Sequence, residues 1–475
     1  MATAQTTFSI DTEVAPGYFN DLLVFMYQNY LTQNPNVFTN IRWGTVDGAN
    51  SLSFTVVGPE RNWYMDVEMK ASRPIQVRVT PTGGTVPQYA FERLRDDLFI
   101  NVQIFEEKVR TTTLYFAWTE REEIVPEANE TSGRKALGNI FADSMMLFFV
   151  ITLVASIILF QFLGLLAPIV IIALQFLGLL LSPKILGRLG KWTIDASHRK
   201  IHLFQYHLAQ QEYEEFTKKY TGDSVLKMKS EMYAKTLALG RAPSCDVGGE
   251  VFKKYGIECV PERLSVKSVD VYDIVRRAAE KFRLPIPKIV VSNTTLPNAA
   301  AVGVSPSRGL ILITTGLLVQ LEEDEILSVV GHELSHLKGW DSLNMFGLFA
   351  AEYLLRIYVF LPIFLIFWYF YLFAAMGAVY FIAKFFEARA DLLSAIVIGQ
   401  PQVMAEALRK IGFRRLQYER MPQYRTQGWL SWDPHPPTYF RIARLERMKA
   451  PVEIKHPLIQ SAKDVIRGFR GTTTS

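Results

Sequence analysis

The 475-residue sequence predicts an α+β protein that also crosses a membrane. Three observations carry that expectation. First, residues 17–120 mix helical spacing with runs that alternate apolar and polar side chains, as strands with one buried face do. Second, Met145–Leu181 contains 37 residues without a charge, and Leu343–Ala383 is another apolar block, of 41 residues. As single helices these would run about 55–60 Å against a hydrocarbon core of about 30 Å, so each is read as a hairpin of two crossings. Third, short strand and helix patterns flank the second block on both sides. The expected divisions are 1–130, a soluble N-terminal α+β domain; 140–183, a transmembrane hairpin; 184–264, a juxtamembrane helical region; 265–450, a second α+β domain with hairpin 343–384 inserted; and 451–475, a C-terminal tail.

Composition narrows the class. Hydrophobic residues make up 49% of the chain and charged residues 20%, so the two kinds must be segregated along it. A net charge of +5 is too small and dispersed for a nucleic-acid partner, and none is expected. The two cysteines, Cys245 and Cys259, form no CxxC pair and are expected as free thiols in a reducing compartment. The N-terminus, MATAQTTFSIDTEV, lacks a basic stretch followed by an apolar core, so the chain is expected to start in the cytosol without a signal peptide.

Along the N-terminal domain, Phe19–Tyr30 has helical spacing. Ser51–Val57, Trp63–Met69 and Ile75–Val79 suit strands, Tyr89–Leu98 suits a helix, and Val102–Trp118 suits a further strand pair. Its Trp and Tyr residues are read as core. Arg121–Lys135 is a polar linker. The first apolar block should turn near Gly164–Pro168. Lys184, Arg188, Lys191, Arg199 and Lys200 crowd its exit while the turn carries no charge, which places residue 184 onward in the cytosol. Residues 184–240 read as helical. His198 and His202 stand four apart there, but cations and no carboxylate lie between them, so they read as surface residues. Val269–Phe282 then suits a helix, and Lys288–Asn293, Asn298–Val304 and Leu310–Thr314 suit strands. The tail from Pro451 reads as surface helix with a frayed end.

Chemistry concentrates in Glu322–Asp341 (EEDEILSVVGHELSHLKGWD). An acidic start precedes an apolar stripe of Ile326, Leu327, Val330, Leu334 and Leu337. His332 and His336 are four residues apart, so a helix brings both imidazoles to one face and one metal ion. Glu333 lies between them, placed to act as general base on a water, which points to zinc-dependent peptide hydrolysis. A hydrolytic zinc takes three protein ligands and leaves one position open. Downstream, Glu387 and Asp391 share a helix face, so one can bind the metal while the other orients a histidine. They reach the histidines only if block 343–383 crosses an even number of times. Inside that block Glu352 and Arg356 are spaced to neutralise each other and read as a structural ion pair.

The run PNAAAVGVSPSRGLILITTGLLVQLEEDEILSVVGHELSHLKGWD, with FFEARADLLSA at Phe385–Ala395 and DPHPPTYFRIARL at Asp433–Leu445, resembles the HtpX-type membrane metalloproteases, with the CAAX prenyl proteases as more distant relatives. The resemblance implies a zincin-like (gluzincin) catalytic domain and one Zn2+ per subunit, held by His332, His336 and Glu387 with Asp391 behind them. His435 and Arg441 fall in the family's HPP…RI segment. They are expected beside the zinc as a catalytic residue and as a brace for the Glu387–Asp391 helix, respectively; the alternative is a tight turn that caps the last helix. An extended substrate could pair with Asn298, Ala299, Ala300, Ala301 and Val302, whose small side chains leave an edge open, though they could equally allow close packing. The expected protein is a multi-pass endopeptidase of the cell (plasma) membrane, with its N-terminal and catalytic domains cytosolic. Its partners would be the lipid bilayer and unfolded or extended polypeptide, and its substrates misfolded or damaged membrane and cytosolic proteins. CAAX-type processing is the enzymatic alternative, and an inactive adaptor binding partners through its N-terminal domain is the other. Residues 1–140 have no counterpart in the resemblance.

Overall fold

The computed structural model describes residues 5–119, 154, 156–189, 192–220, 222–449 and 454–473. The chain divides into two compact units, 1–118 with 202–267 and 119–201 with 268–475. In the first, β1 (Thr6–Ile10) is followed by α1 (Phe19–Met26), the meander β2 (Phe38–Val46), β3 (Ala49–Val57), β4 (Tyr64–Lys70) and β5 (Ile75–Gly83), and then α2 (Gln88–Arg110). The sheet is antiparallel throughout, in the order β1-β5-β4-β3-β2. Met65, Val67 and Met69 of β4 and Ile75, Val77 and Val79 of β5 are buried, as their alternation predicts. Each such side chain contributes about 1.5–3 kcal/mol of hydrophobic stabilisation. Trp63 joins this core, whereas Trp43 and Tyr89 are exposed.

The stretch Val102–Arg110, expected as strand, instead continues α2. Val102, Phe105 and Val109 are spaced three and four apart, which keeps one helical side buried, and only β6 (Thr113–Thr119) is strand. Residues 156–163 are helical, Gly164 takes a left-handed φ of 52°, and α3 (Ala167–Leu189) begins just beyond, where a turn was expected. The rest of that expected hairpin, 140–153 and 155, and the linker Arg121–Lys135 lie outside the described residues.

The region 184–240 departs from the all-helical expectation. After α3 come β7 (Trp192–Ile194) and β8 (Lys200–His207), then α4 (Gln210–Lys219), α5 (Gly222–Lys235), α6 (Cys245–Lys254) and β9 (Leu264–Asp270). β8 is the middle strand of a sheet ordered β6-β8-β9, and Ile201 and Leu203–His207 are all buried. A strand covered on both faces shows no alternation, which is why its sequence misleads. Cys245 and Cys259, expected free, form a disulfide. Gly256, at φ 74°, turns the chain back after α6 and brings their Cα atoms to 5.5 Å.

The second unit continues with α7 (Val271–Phe282), β10 (Lys288–Ser292), β11 (Ala299–Val302), β12 (Leu310–Thr314), α8 (Thr315–Gln320), α9 (Glu323–Gly339), α10 (Asp341–Tyr358) and α11 (Leu361–Ile398). α12 (Pro401–Ile411), α13 (Phe413–Glu419), α14 (Pro422–Leu430), α15 (Thr438–Glu446) and α16 (Pro457–Thr473) complete it. The sheet runs β11-β12-β10-β7, with β10 and β12 parallel and the other pairs antiparallel, so β11 is an edge strand. Helix α9 packs against α7, α11 and α12. Among the described residues, Ser156–Gly187 and Leu361–Ile398 are long and apolar enough to cross a membrane.

Helices α10 and α11 turn at Val359–Phe360 and run back side by side, with the Phe349 and Tyr380 rings 5.8 Å apart. α3 lies antiparallel to α10: the Phe176 ring packs, tilted, on Phe346 at 5.5 Å, and the Tyr358 hydroxyl donates to the Leu165 carbonyl. The C-terminal ends of α3 and α11 and the start of α10 therefore share one end of the bundle. The expected frayed tail is α16, whose Ser461 and Val465 are fully buried, the latter clustered with Ala388 and Trp429.

Candidate metal centre

Glu323, Asp324 and Glu325 open α9, where the helix dipole favours negative charge, and Trp340 ends it in a left-handed conformation (φ 57°). The helix is not simply amphipathic, because 12 of its 17 residues are buried. Gly331 permits this. A Cβ there would lie 2.7 Å from Ile398 Cγ1 and 2.8 Å from Ser394 Oγ, so α11 crosses α9 at the closest approach the backbone allows. Ser394 Oγ also donates to the Ser328 carbonyl at 2.7 Å. This crossing sets Glu387, two helical turns before Ser394, against the two histidines.

The Nε2 atoms of His332 and His336 are 3.1 Å apart. His332 Nε2 lies 3.5 Å from Glu387 Oε2, and His336 Nε2 lies 3.4 Å from Glu387 Oε1. Donors about 2.0–2.2 Å from a tetrahedral cation such as zinc stand about 3.3–3.6 Å from one another, so the three residues lie close to the spacing that three corners of that figure require. Each imidazole turns its other nitrogen to an acid: His332 Nδ1 is 2.9 Å from Asp391 Oδ1, and His336 Nδ1 is 2.8 Å from Asp341 Oδ2. With those nitrogens protonated, two Nε2 lone pairs and a buried Glu387 oxygen without a hydrogen-bond partner converge on one point. Only a positive charge settles such an arrangement. His332, His336 and Glu387 form a cluster suited to hold a metal ion.

Electrostatics agree. Burial works against a charge on His332, but Asp391 and Glu387 outweigh it and, with no cation bound, raise its pKa to about 10. Burial likewise opposes a charge on His336, and Glu387 and Asp341 again push the other way. The acids Glu333, Asp341, Glu387 and Asp391 face the guanidinium groups of Arg389 and Arg441. The surplus of two negative charges suits a dication.

Both histidine-orienting acids are backed by arginine. Arg441 grips Asp391 through Nε (2.8 Å) and Nη2 (2.6 Å), and its Nη2 is 4.0 Å from Glu387 Oε2. Arg389 donates to both oxygens of Asp341. His435 Nε2 lies 3.5 Å from Glu387 Oε2, and its Nδ1 is 2.9 Å from Asp433 Oδ1. Burial opposes the charge on Asp433, but the N–H groups of His435 and the Arg415 guanidinium hold its carboxyl well below the usual carboxylate range. Lys384, fully buried on α11, donates to the Ser431 and Asp433 carbonyls and ties this loop to the ligand helix. Glu419 of α13 accepts the Thr438 and Tyr439 N–H groups and so caps α15, a role the alternative reading gave to the HPP turn itself.

All the residues singled out on α9, α11 and the 433–441 segment thus meet at one place. Glu333 Oε2 accepts the Ala301 N–H at 2.7 Å, which joins the site to edge strand β11 and its neighbours Asn298, Ala299, Ala300 and Val302. His198 is a half-buried bend residue held by Asp195, and His202 lies on β8, so neither belongs to the centre. Sequence reasoning missed Asp341, Arg389, Asp433 and Lys384. The one available signal was that Asp341 directly follows the helix-ending Gly339-Trp340.

Peptidase family M48 matches residues 265–449. The Protease HtpX homolog of Salinibacter ruber is 32% identical over 228 residues, which cover 42% of this chain and 80% of that protein. That of Gemmatimonas aurantiaca is 28% identical over 243 residues, covering 42% and 82%. That of Thermodesulfovibrio yellowstonii is 41% identical over 93 residues, about a third of its own length. The crystal structure of S. mikatae Ste24p aligns over 76% of both chains with a TM-score of 0.36 and 14% identity, too slight a likeness to argue from.

Proposed function

The chain belongs to Peptidase family M48, and on that premise we propose that it is a membrane-integrated zinc metalloendopeptidase. The observation that carries the proposal is the convergence of two carboxylate-oriented imidazoles and Glu387 at tetrahedral spacing beside Glu333. Zinc held by His332, His336 and Glu387 would supply a Lewis acid that polarises the scissile carbonyl and lowers the pKa of water. Glu333 takes the proton of the attacking water and returns it to the leaving amine. His435, held through Nδ1 by Asp433, presents Nε2 to the site and donates to the oxygen that gains charge in the transition state. Arg441 and Arg389 act through Asp391 and Asp341 and keep each imidazole in the metal-binding tautomer.

Ala301 directs its N–H away from β12 and into the site, and Ala299, two residues earlier, faces the same open edge. An extended substrate pairing there would present its backbone to Glu333 with little regard for side chains. Such tolerance suits misfolded or damaged membrane and cytosolic polypeptides. Helices α10 and α11 would cross the bilayer as one hairpin, and 140–183 as a second. The cationic exit of α3 would place the catalytic end of the bundle at the cytosolic face of the cell membrane.

Casein cleavage by the purified, zinc-loaded protein and by Glu333→Gln tests the function. Wild type should cut, while the variant should bind zinc equally and lose at least about 100-fold in rate. Equal inertness of both zinc-loaded proteins would refute the protease proposal.

A further inference from the structure

Helix α16 lies beyond residues 265–449, which carry the family match, yet it packs along α11 beside the metal ligands. The approach is close. A Cβ on Gly468 would fall 2.6 Å from the Phe440 ring and 3.0 Å from Trp429, and Trp429 Nε1 donates to Thr472 Oγ1 at 3.1 Å. On α11 the residue that receives this packing is Ala388, which is fully buried and clusters with Trp429 and Val465. Ala388 stands between Glu387 and Arg389, so α11 is gripped where both of them reach into the centre.

A polar grip reinforces the apolar one. Arg444 of α15 is buried, and each of its guanidinium nitrogens has a partner. Nη1 donates to the Ala388 carbonyl, Nε to Asp464 Oδ2 at 2.9 Å, and Nη2 to Ser461 Oγ at 3.0 Å. Asp464 Oδ1 in turn accepts Gln460 Nε2 at 2.8 Å, and Gln460, Ser461 and Asp464 all belong to α16. In the middle of a helix a carbonyl already accepts an intrahelical bond. The Arg444 guanidinium therefore rescues no orphaned acceptor; what it adds is location.

Arg441 and Arg444 stand three residues apart on α15, so both face α11. Arg441 takes the Asp391 carboxylate, and Arg444 takes the backbone beside Glu387. Ala388 lies about 100° round the helix from Glu387, away from the crossing at Gly331, so the two contacts restrain α11 from different sides. Without the Arg444 grip α11 can roll about its axis. A roll moves Glu387 off the two Nε2 atoms while the histidines stay on α9.

We propose that Arg444 is a positioning residue of the metal centre, set by Asp464 and Ser461 of the C-terminal helix, so that α16 fixes Glu387 against the two histidines. The proposal rests on the reading of His332, His336 and Glu387 as metal ligands. Arg444→Gln, Asp464→Ala and their combination test it in the full chain. Chelator competition reads zinc affinity, the visible absorption of the cobalt-loaded protein reads ligand geometry, and thermal unfolding of the metal-free protein reads stability. Val290→Ala, which truncates the buried core of β10, controls for destabilisation alone. Arg444→Gln should lower zinc affinity at least about fivefold and change the cobalt spectrum. Asp464→Ala should act in the same direction, and the double variant should match Arg444→Gln alone, because Asp464 acts through Arg444. Val290→Ala should lower stability and leave affinity and spectrum unchanged.

Zinc affinity within about twofold of wild type and an unchanged cobalt spectrum in Arg444→Gln, or in Asp464→Ala should Arg444→Gln fail to fold, would overturn the proposal. A loss in Arg444→Gln without one in Asp464→Ala, or losses that add in the double variant, would reject the role of α16. An equal loss in Val290→Ala would reduce the effect to general destabilisation and reject it too. Failure of the wild type to bind either metal would overturn the metal centre as well, whereas metal binding without casein cleavage would refute the protease reading and leave Arg444 in its role.

Discussion

Asp341→Asn tests the logic of the metal centre at a residue the motif does not contain. Asp341 does two things at once: its Oδ2 accepts His336 Nδ1 at 2.8 Å, and both its oxygens accept Arg389. Replacing such an orienting carboxylate costs about 10–100-fold in metal affinity, or about 1.4–2.8 kcal/mol. The second cost is structural. Arg389 is 9% exposed, and a buried charge deprived of its partner costs about 3–5 kcal/mol; the remaining amide oxygen keeps the loss towards the lower end. The two costs separate in a double-mutant cycle. Adding Arg389→Gln should recover much of the stability of the metal-free protein, because the stranded charge is gone. It should not recover zinc affinity, because a neutral amide oxygen still replaces the carboxylate that raises the basicity of His336. Chelator competition reads the affinity and thermal unfolding of the metal-free protein reads the stability. Asp341→Asn binding zinc within about threefold of wild type would show that His336 needs no orienting acid, and the argument would fail.

A Cβ on Gly339 would fall 1.8 Å from Arg389 Nη2, so Gly339→Ala should push the guanidinium off Asp341 and lower zinc affinity at least about tenfold; unchanged affinity would count against the Arg389–Asp341–His336 relay. In the first unit, burial lowers the pKa of His207 from 6.5 to about 4. Thr113 donates to the Val109 carbonyl and accepts His207 Nδ1, and the buried Nε2 has no partner. The folded chain therefore keeps this ring neutral while the unfolded chain takes up a proton below pH 6.5. Stability should fall with pH across 6.5 to 4, by about 2 kcal/mol between pH 7 and 5, in pulse proteolysis of this unit, and His207→Gln should flatten that slope. An identical slope in the variant would place the effect elsewhere.

What the sequence discloses here follows from how local each cause is. His332, Glu333 and His336 are legible because helical periodicity alone puts them together. Glu387 is legible because a third ligand must return to the same side of the apolar block. Asp341 is not, since five residues from His336 lies off the shared helical face. It swings in only because Trp340 adopts a left-handed conformation and starts a new helix at once. Arg389 is not legible either, because its partner sits 48 residues away. Lys200–His207 hides its strand because both of its faces are buried, and the pairing of Cys245 with Cys259 depends on a turn at Gly256. In each case the missing information is tertiary.

The two orienting acids are divided between the two legs of one hairpin. Asp341 opens α10, the outgoing leg, and fixes His336, while Asp391 lies on α11, the returning leg, and fixes His332. Glu387, the third ligand, is also on α11, and Arg389 of α11 reaches back to Asp341 of α10. A slip of one leg against the other by a single helical turn, about 5.4 Å, would separate Arg389 from Asp341 and disturb both imidazoles together. The metal centre therefore depends on the register of α10 against α11. If the bilayer holds that register, solubilisation that lets the legs slide should weaken metal binding before it unfolds α9, whose buried surface is supplied largely by α7, α11 and α12.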